Sequence, residues 1–184
     1  PADPPAVGST ASNFTVAQFG SAAAFNGVQF GSVTYTALWD RPETYTLSAW
    51  IKTTSAGTQW ILVEQGPPGY WGLGISGGGV RHIDSRDSLA NPDVTMGTGV
   101  TANVWHQIHV VRNNSTQERR FFVDGNLVGT AVAVSTDSFF THPIRTPVYI
   151  GADTAGAGTF NGTIDEIRVL DSVLSDEDIK LEYL

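Results

Sequence analysis

The chain has 184 residues, with 10 Lys and Arg against 18 Asp and Glu, a formal net charge of −8. That length is one domain, and an acidic chain with scattered arginines lacks the basic stripe that nucleic acid requires. It contains no cysteine, which removes disulfides, thiol catalysis and cysteine-ligated metals, and no apolar run reaches the roughly 18 residues of a membrane-spanning helix.

Residues 1–12 are rich in Pro, Ala and Ser and read as a linker remnant, with the domain running over 13–184. From there, short β-branched and aromatic runs alternate with Gly, Asn, Asp and Pro about every ten residues, the spacing of an all-β sandwich or barrel. Thr44 to Lys52 alternates, with Leu47, Ala49 and Ile51 on one face. Trp60 to Glu64 is a short apolar run. Tyr70 to Ile75 puts Trp71, Leu73 and Ile75 on one side, and Tyr70 with two glycines on the other. Trp105 to Val111 is a further strand. Arg120–Val123 and Asn126–Gly129 flank Asp124-Gly125, a hairpin signal because both turn residues tolerate positive φ. Val148–Ile150 and Thr163–Val169 close the set. Ile164 and Ile167 are three apart, so strict alternation fails there, and a bulge near Asp165-Glu166 or burial on both faces would account for it. One short helix is predicted at the C-terminus. Ser175 and Asp178 fit a capping box, Leu174 and Ile179 fit a hydrophobic staple, and the helix is expected to lid an edge of the sandwich.

There is no His-Glu-x-x-His of a metalloprotease and no Glu-x-Asp-x-Glu of a jelly-roll glucanase. The clustered acids Asp165-Glu166 and Asp176-Glu177-Asp178 are consecutive, so their side chains do not all converge on one bond as a glycosidase's two carboxylates must. His106 and His109 are three apart and point to opposite faces of a strand. The chain is therefore expected not to be an enzyme.

Carbohydrate rings present apolar C–H faces and hydroxyl edges, so a sugar site needs aromatics to stack on and polar side chains for the hydroxyls. The densest such mixture runs from Gly77 to Asp87, after Trp60, Tyr70 and Trp71 around the loop 65–69. Together they nominate Trp60, Tyr70, Trp71, Arg81, His82, Asp84 and Arg86 as ligand-binding residues. Two other readings of the same residues stand beside this one. Trp71 shares a face with Leu73 and Ile75 and so belongs to the core, or Arg81, Asp84, Arg86 and Asp87 form a surface ion-pair cluster.

Three segments in order resemble one family. They are Phe25-Asn26-Gly27 with Tyr45 to Lys52, then Trp105 to Val111 with Phe122 to Gly129, then Tyr149 to Asp153 with Phe160 to Val169 and Leu174-Ser175. Together they are similar to bacterial laminin-G-like, concanavalin A-like jelly-roll modules. That resemblance implies an all-β, two-sheet antiparallel jelly-roll sandwich with one curved sheet, here followed by the short C-terminal helix. It further implies a carbohydrate-binding or adhesion unit of a larger secreted or cell-surface protein. The partners expected are a glycan or polysaccharide and other domains of the same polypeptide. Such modules often carry a structural calcium, and the matching ligands here are Asp165 with Asn26 and Gly27. A composition poor in Lys and rich in Thr, Ser, Gly and Asn fits a bacterial, extracellular setting, and a monomer is expected. The alternatives are a structural or protein-binding module of a surface adhesin, or a fragment of a glycoside hydrolase.

Overall fold

The computed structural model describes residues 13–16, 20–33, 44–66, 69–85, 93–132, 147–153 and 156–184. They form thirteen strands and one helix. The strands are β1 Asn13–Val16, β2 Ser21–Asn26, β3 Gly31–Val33, β4 Tyr45–Thr53, β5 Gln59–Gly66, β6 Gly69–Ser76, β7 Gly79–Ser85, β8 Val94–Met96, β9 His106–Asn113, β10 Glu118–Val123, β11 Asn126–Val132, β12 Val148–Ile150 and β13 Asn161–Leu170. The helix α1 is Asp176–Tyr183. Trp105 lies just before β9, not within it.

The strands make two antiparallel sheets. One has seven strands in the order β1-β2-β13-β4-β9-β10-β11, and the other six in the order β3-β12-β5-β6-β7-β8. This is the jelly-roll sandwich that the resemblance implied. The period-2 pattern fills the space between the sheets. Tyr45, Leu47, Ala49 and Ile51 of β4 join Ile108 and Val110 of β9 and Phe121 and Val123 of β10 in one buried core with Trp71, Leu73 and Ile75 of β6.

Local chemistry fixes the irregular points. Asp124 and Gly125 both adopt positive φ, 51° and 73°, so the β10–β11 hairpin turns where the sequence places it. The broken alternation in β13 is a bulge, since the register against β4 shifts between Asp165 and Arg168 and Glu166 sits at φ 48°. This keeps Ile164 buried and lets Ile167 pack against the same core.

The helix starts at the predicted box. Asp178 N donates to Ser175 Oγ at 3.1 Å and Ser175 N donates to Asp178 Oδ2 at 3.1 Å. Its position corrects the expected one. Instead of closing an edge, α1 lies on the outer face of the seven-stranded sheet. Ile179 packs with Val111, Phe122 and Leu174, and Tyr183 stacks on Trp50 with ring centroids 5.7 Å apart. The physical reason is that Trp50, Val111 and Phe122 leave an apolar patch on that face, which Ile179 and Tyr183 cover. One sheet therefore has a covered outer face.

Candidate ligand-binding face

The outer face of the six-stranded sheet does not carry α1. Its middle strand, β6, sends Trp71, Leu73 and Ile75 inward, which leaves Gly72 and Gly74 on the outside. Each glycine is a low point between bulkier neighbours. Gly74 pairs with Trp60 of β5 and Arg81 of β7, and Gly72 pairs with Val63 and Ile83. A Cβ on Gly74 would meet Gln59 O at 2.5 Å and the Trp60 ring at 2.8 Å, so the indole and guanidinium can come together above it only because the residue is glycine.

There the Arg81 guanidinium lies 3.9 Å over the Trp60 ring centroid. Its fork is held by Asp93, just before β8. Arg81 Nε donates to Asp93 Oδ1 at 2.8 Å and Oδ2 at 3.0 Å, and Nη2 also donates to Oδ2. Farther along the face, Tyr149 of β12 pairs with Val63 and Ser32, and its ring centroid is 5.9 Å from that of Phe30. Phe30 and Tyr149 are both half-buried. Among the described residues the face thus combines rings, one cation, one carboxylate and the Ser32 and Thr95 hydroxyls, a set able to stack on and hydrogen-bond a sugar.

The nominated residues divide. Trp60 and Arg81 meet on this face, although Trp60, with the guanidinium over its ring and Gly158 close to its edge, is only 6% exposed. Trp71, His82 and Asp84 turn inward, which corrects their assignment to a ligand surface. Alternation on β6 and β7 sends them between the sheets, where they have no face to offer a sugar. The surface ion-pair reading fails for the same reason. Asp84 lies inside, 2.7 Å from Arg112 Nε, and Arg81 pairs with Asp93. Tyr70 occupies the rung between Gln65 and Ser85, and its side chain lies outside what the structure describes. Arg86 and Asp87 lie outside the described residues altogether. Sequence reasoning missed Asp93, Tyr149 and Phe30. Tyr149 was readable, since it alternates with Val148 and Ile150. Nothing local marks Asp93, which acts across a strand boundary.

The inward residues form a polar end to the core. His82 Nε2 is 2.9 Å from the Tyr45 hydroxyl and Nδ1 is 3.3 Å from Arg119 Nη1. Arg112 and Arg119 are each 1% exposed. Burial first, then the charges of Arg119 and Arg112, push the His82 pKa down to about 3, against an opposing pull from Asp84.

The calcium ligands named by resemblance do not converge. The neighbouring strands β2 and β13 do pair, with Asn161 opposite Asn26. Asp165 is four rungs beyond Asn161, roughly 13 Å at the rise of a strand. Asn26 Oδ1 already accepts from Val28 N, and Gly27 O from the Thr159 hydroxyl. Asp165 Oδ1 accepts from Glu166 N. These three residues do not fit one calcium ion, and no group of three His, Cys, Asp or Glu that could hold a metal occurs among the described residues.

One further constellation has catalytic spacing. Thr101 Oγ1 is 3.0 Å from His106 Nε2, and Nδ1 is 2.7 Å from Asp124 Oδ2. These are the distances of a nucleophile, base and carboxylate. However, Thr101 N also donates to Nε2 at 3.0 Å, so a backbone donor fills the lone pair a base would use. Together they tie the loop at Thr101 to the hairpin turn at Asp124.

A family model described as the concanavalin A-like lectin/glucanases superfamily matches residues 21–180. The chain belongs to that superfamily. A sequence search of curated proteins gave no match. Among solved structures, the superfamily fold recurs in the binding domain of Paraclostridial Mosquitocidal Protein 1, with TM-score 0.72, 12% identity and 93% of this chain covered. The chain spans only 45% of that domain. It recurs in the CBM40 of the Ruminococcus gnavus IT-sialidase, bound to α2,3-sialyllactose, with TM-score 0.68, 18% identity, and 85% of this chain and 99% of that one covered. Domain 4 of AbnA, a GH43 extracellular arabinanase from Geobacillus stearothermophilus in complex with arabinotriose, gives TM-score 0.70 and 16% identity over 96% of this chain and 82% of that one.

Proposed function

We propose that this domain is a non-catalytic carbohydrate-binding module of a larger secreted or cell-surface protein, and that it holds its glycan on the outer face of the six-stranded sheet. The observation that carries this reading is the inequality of the two outer faces. One is covered by α1, while the other bears Phe30, Tyr149 and the Trp60–Arg81–Asp93 stack around a glycine-floored strand. Similar folds solved with sialyllactose and with arabinotriose support a sugar as the partner class. A spacer in an adhesin is the competing reading, favoured by the closure of Trp60 under Arg81. A glycan array probed with the wild type, Arg81→Ala and Tyr149→Ala separates them. The module reading expects binding that both variants weaken at unchanged melting temperature. Binding that neither variant affects would move the site elsewhere, and an array blank for the wild type would favour the spacer.

A further inference from the structure

Resting on that glycan reading, we propose that this face selects neutral oligosaccharides against sialylated ones. The fold leaves the choice open, since similar folds are solved with a sialylated sugar and with a neutral one. The local charges decide it. An arginine fork is the group a sugar carboxylate would seek, because it offers paired donors in a matching plane. Arg81 is the cation on this face among the described residues, and its Nε–Nη2 edge is taken by Asp93 while its flat side lies on Trp60, which leaves a sugar carboxylate only the Nη1 side. The Arg81 side chain is 17% exposed and that of Asp93 40%. The outermost charge of the pair is therefore the carboxylate. A sialic acid arriving there meets a charge like its own, in the field of a chain with net charge −8. The neighbouring Ser32, Ile83, Thr95 and Tyr149 are uncharged and at least partly exposed, and suit C–H faces and hydroxyls. Two unit charges about 4 Å apart in water repel enough to change affinity on the order of fivefold, and the paired guanidinium offsets part of this, so fivefold is the upper bound.

The test uses the same domain on an array of neutral and sialylated oligosaccharides that includes arabinotriose and the matched pair lactose and α2,3-sialyllactose. The wild type is expected to bind neutral sugars, with sialyllactose weaker than lactose by up to about fivefold at low salt and the gap narrowing as salt is added. In Asp93→Asn, which releases the guanidinium, the ratio of sialyllactose to lactose affinity should rise by about the same factor. Sialyllactose binding tighter than lactose to the wild type, or a ratio indifferent both to Asp93→Asn and to salt, would overturn the charge argument and leave the glycan reading standing. No binding to any sugar would remove the glycan reading itself. The salt series on the wild type decides the matter should Asp93→Asn fail to fold.

Discussion

His82 ties the stability of this sandwich to acid. A guanidinium only donates, so Nδ1, 3.3 Å from Arg119 Nη1, accepts, and the ring proton sits on Nε2 toward the Tyr45 hydroxyl. A second proton on Nδ1 would set one N–H against another, at a side chain with no exposed surface. The fold therefore holds the ring neutral, with its pKa lowered from 6.5 to about 3 by burial and by the two arginines. The unfolded chain takes up this proton below about pH 6.5, whereas the fold refuses it until about pH 3. The contribution is complete above pH 6.5 and is lost as pH falls through that window. The slope approaches 1.36 kcal/mol per pH unit, which integrates to about 2 kcal/mol between pH 7 and pH 5.

Other groups titrate in the same range. Burial also lowers the pKa of His109, and acid erodes its contribution with the same sign. The measurement that isolates His82 is a difference. Urea unfolding of the wild type and of His82→Gln, run at pH values from about 7 down to 5, gives two stability curves in which His109 and the carboxylates largely cancel. Gln keeps an acceptor and a donor for Arg119 and Tyr45. The wild type should fall relative to the variant by about 2 kcal/mol over that range. Parallel curves would refute the reasoning, because they would mean that the folded ring protonates as readily as the unfolded one.

The buried Arg112–Asp84 pair predicts that Arg112→Leu, which strands a carboxylate, costs about 3–5 kcal/mol by chemical denaturation, and that Arg112→Leu with Asp84→Leu recovers most of the loss. Ser175→Ala removes the cap of α1 and should cost about 1 kcal/mol, with the lost helicity read by circular dichroism and the sandwich still melting as one unit. Asp165→Asn should shift the melting temperature by the same amount with and without EDTA, since Asp165, Asn26 and Gly27 do not surround one ion. A shift that chelator abolishes would restore calcium to that aspartate.

Much of the fold was legible because its signals are local. Asp124-Gly125 specifies its own turn, the three-residue spacing of Ile164 and Ile167 announces a bulge, and Ser175 with Asp178 marks where the helix starts. The candidate site was less legible because its determinants are not local. A dense stretch of aromatic and charged residues looks like one surface in sequence, yet a strand sends neighbours to opposite sides. Trp60 and Arg81 share a face, while Trp71, His82 and Asp84 lie behind it. Nor does polarity report the side. Asp84 finds Arg112 and His82 finds Arg119 across the sandwich, and such distant pairings satisfy polar groups that composition alone would place outside.

The same logic explains where a ligand face can exist. Both sheets bury an apolar inner layer in the shared core, so within the two described sheets it is the outer faces that can meet a partner. Trp50, Val111 and Phe122 make the outer face of the seven-stranded sheet too apolar to leave in water, and a helix with one buried position, Ile179, covers it. On the six-stranded sheet the corresponding rows hold two glycines with Trp60, Val63, Arg81 and Ile83. Its largest ring among the described residues, Trp60, lies under the Arg81 guanidinium and close beside the Gly158 backbone. Among the described residues no helix docks on that face, and part of the cover over Trp60 is a side-chain pair that a ligand can compete with. On the proposed reading, placement of the helix on one sheet leaves the other for recognition, and the Arg81–Asp93 pair is the first contact a ligand would satisfy or displace.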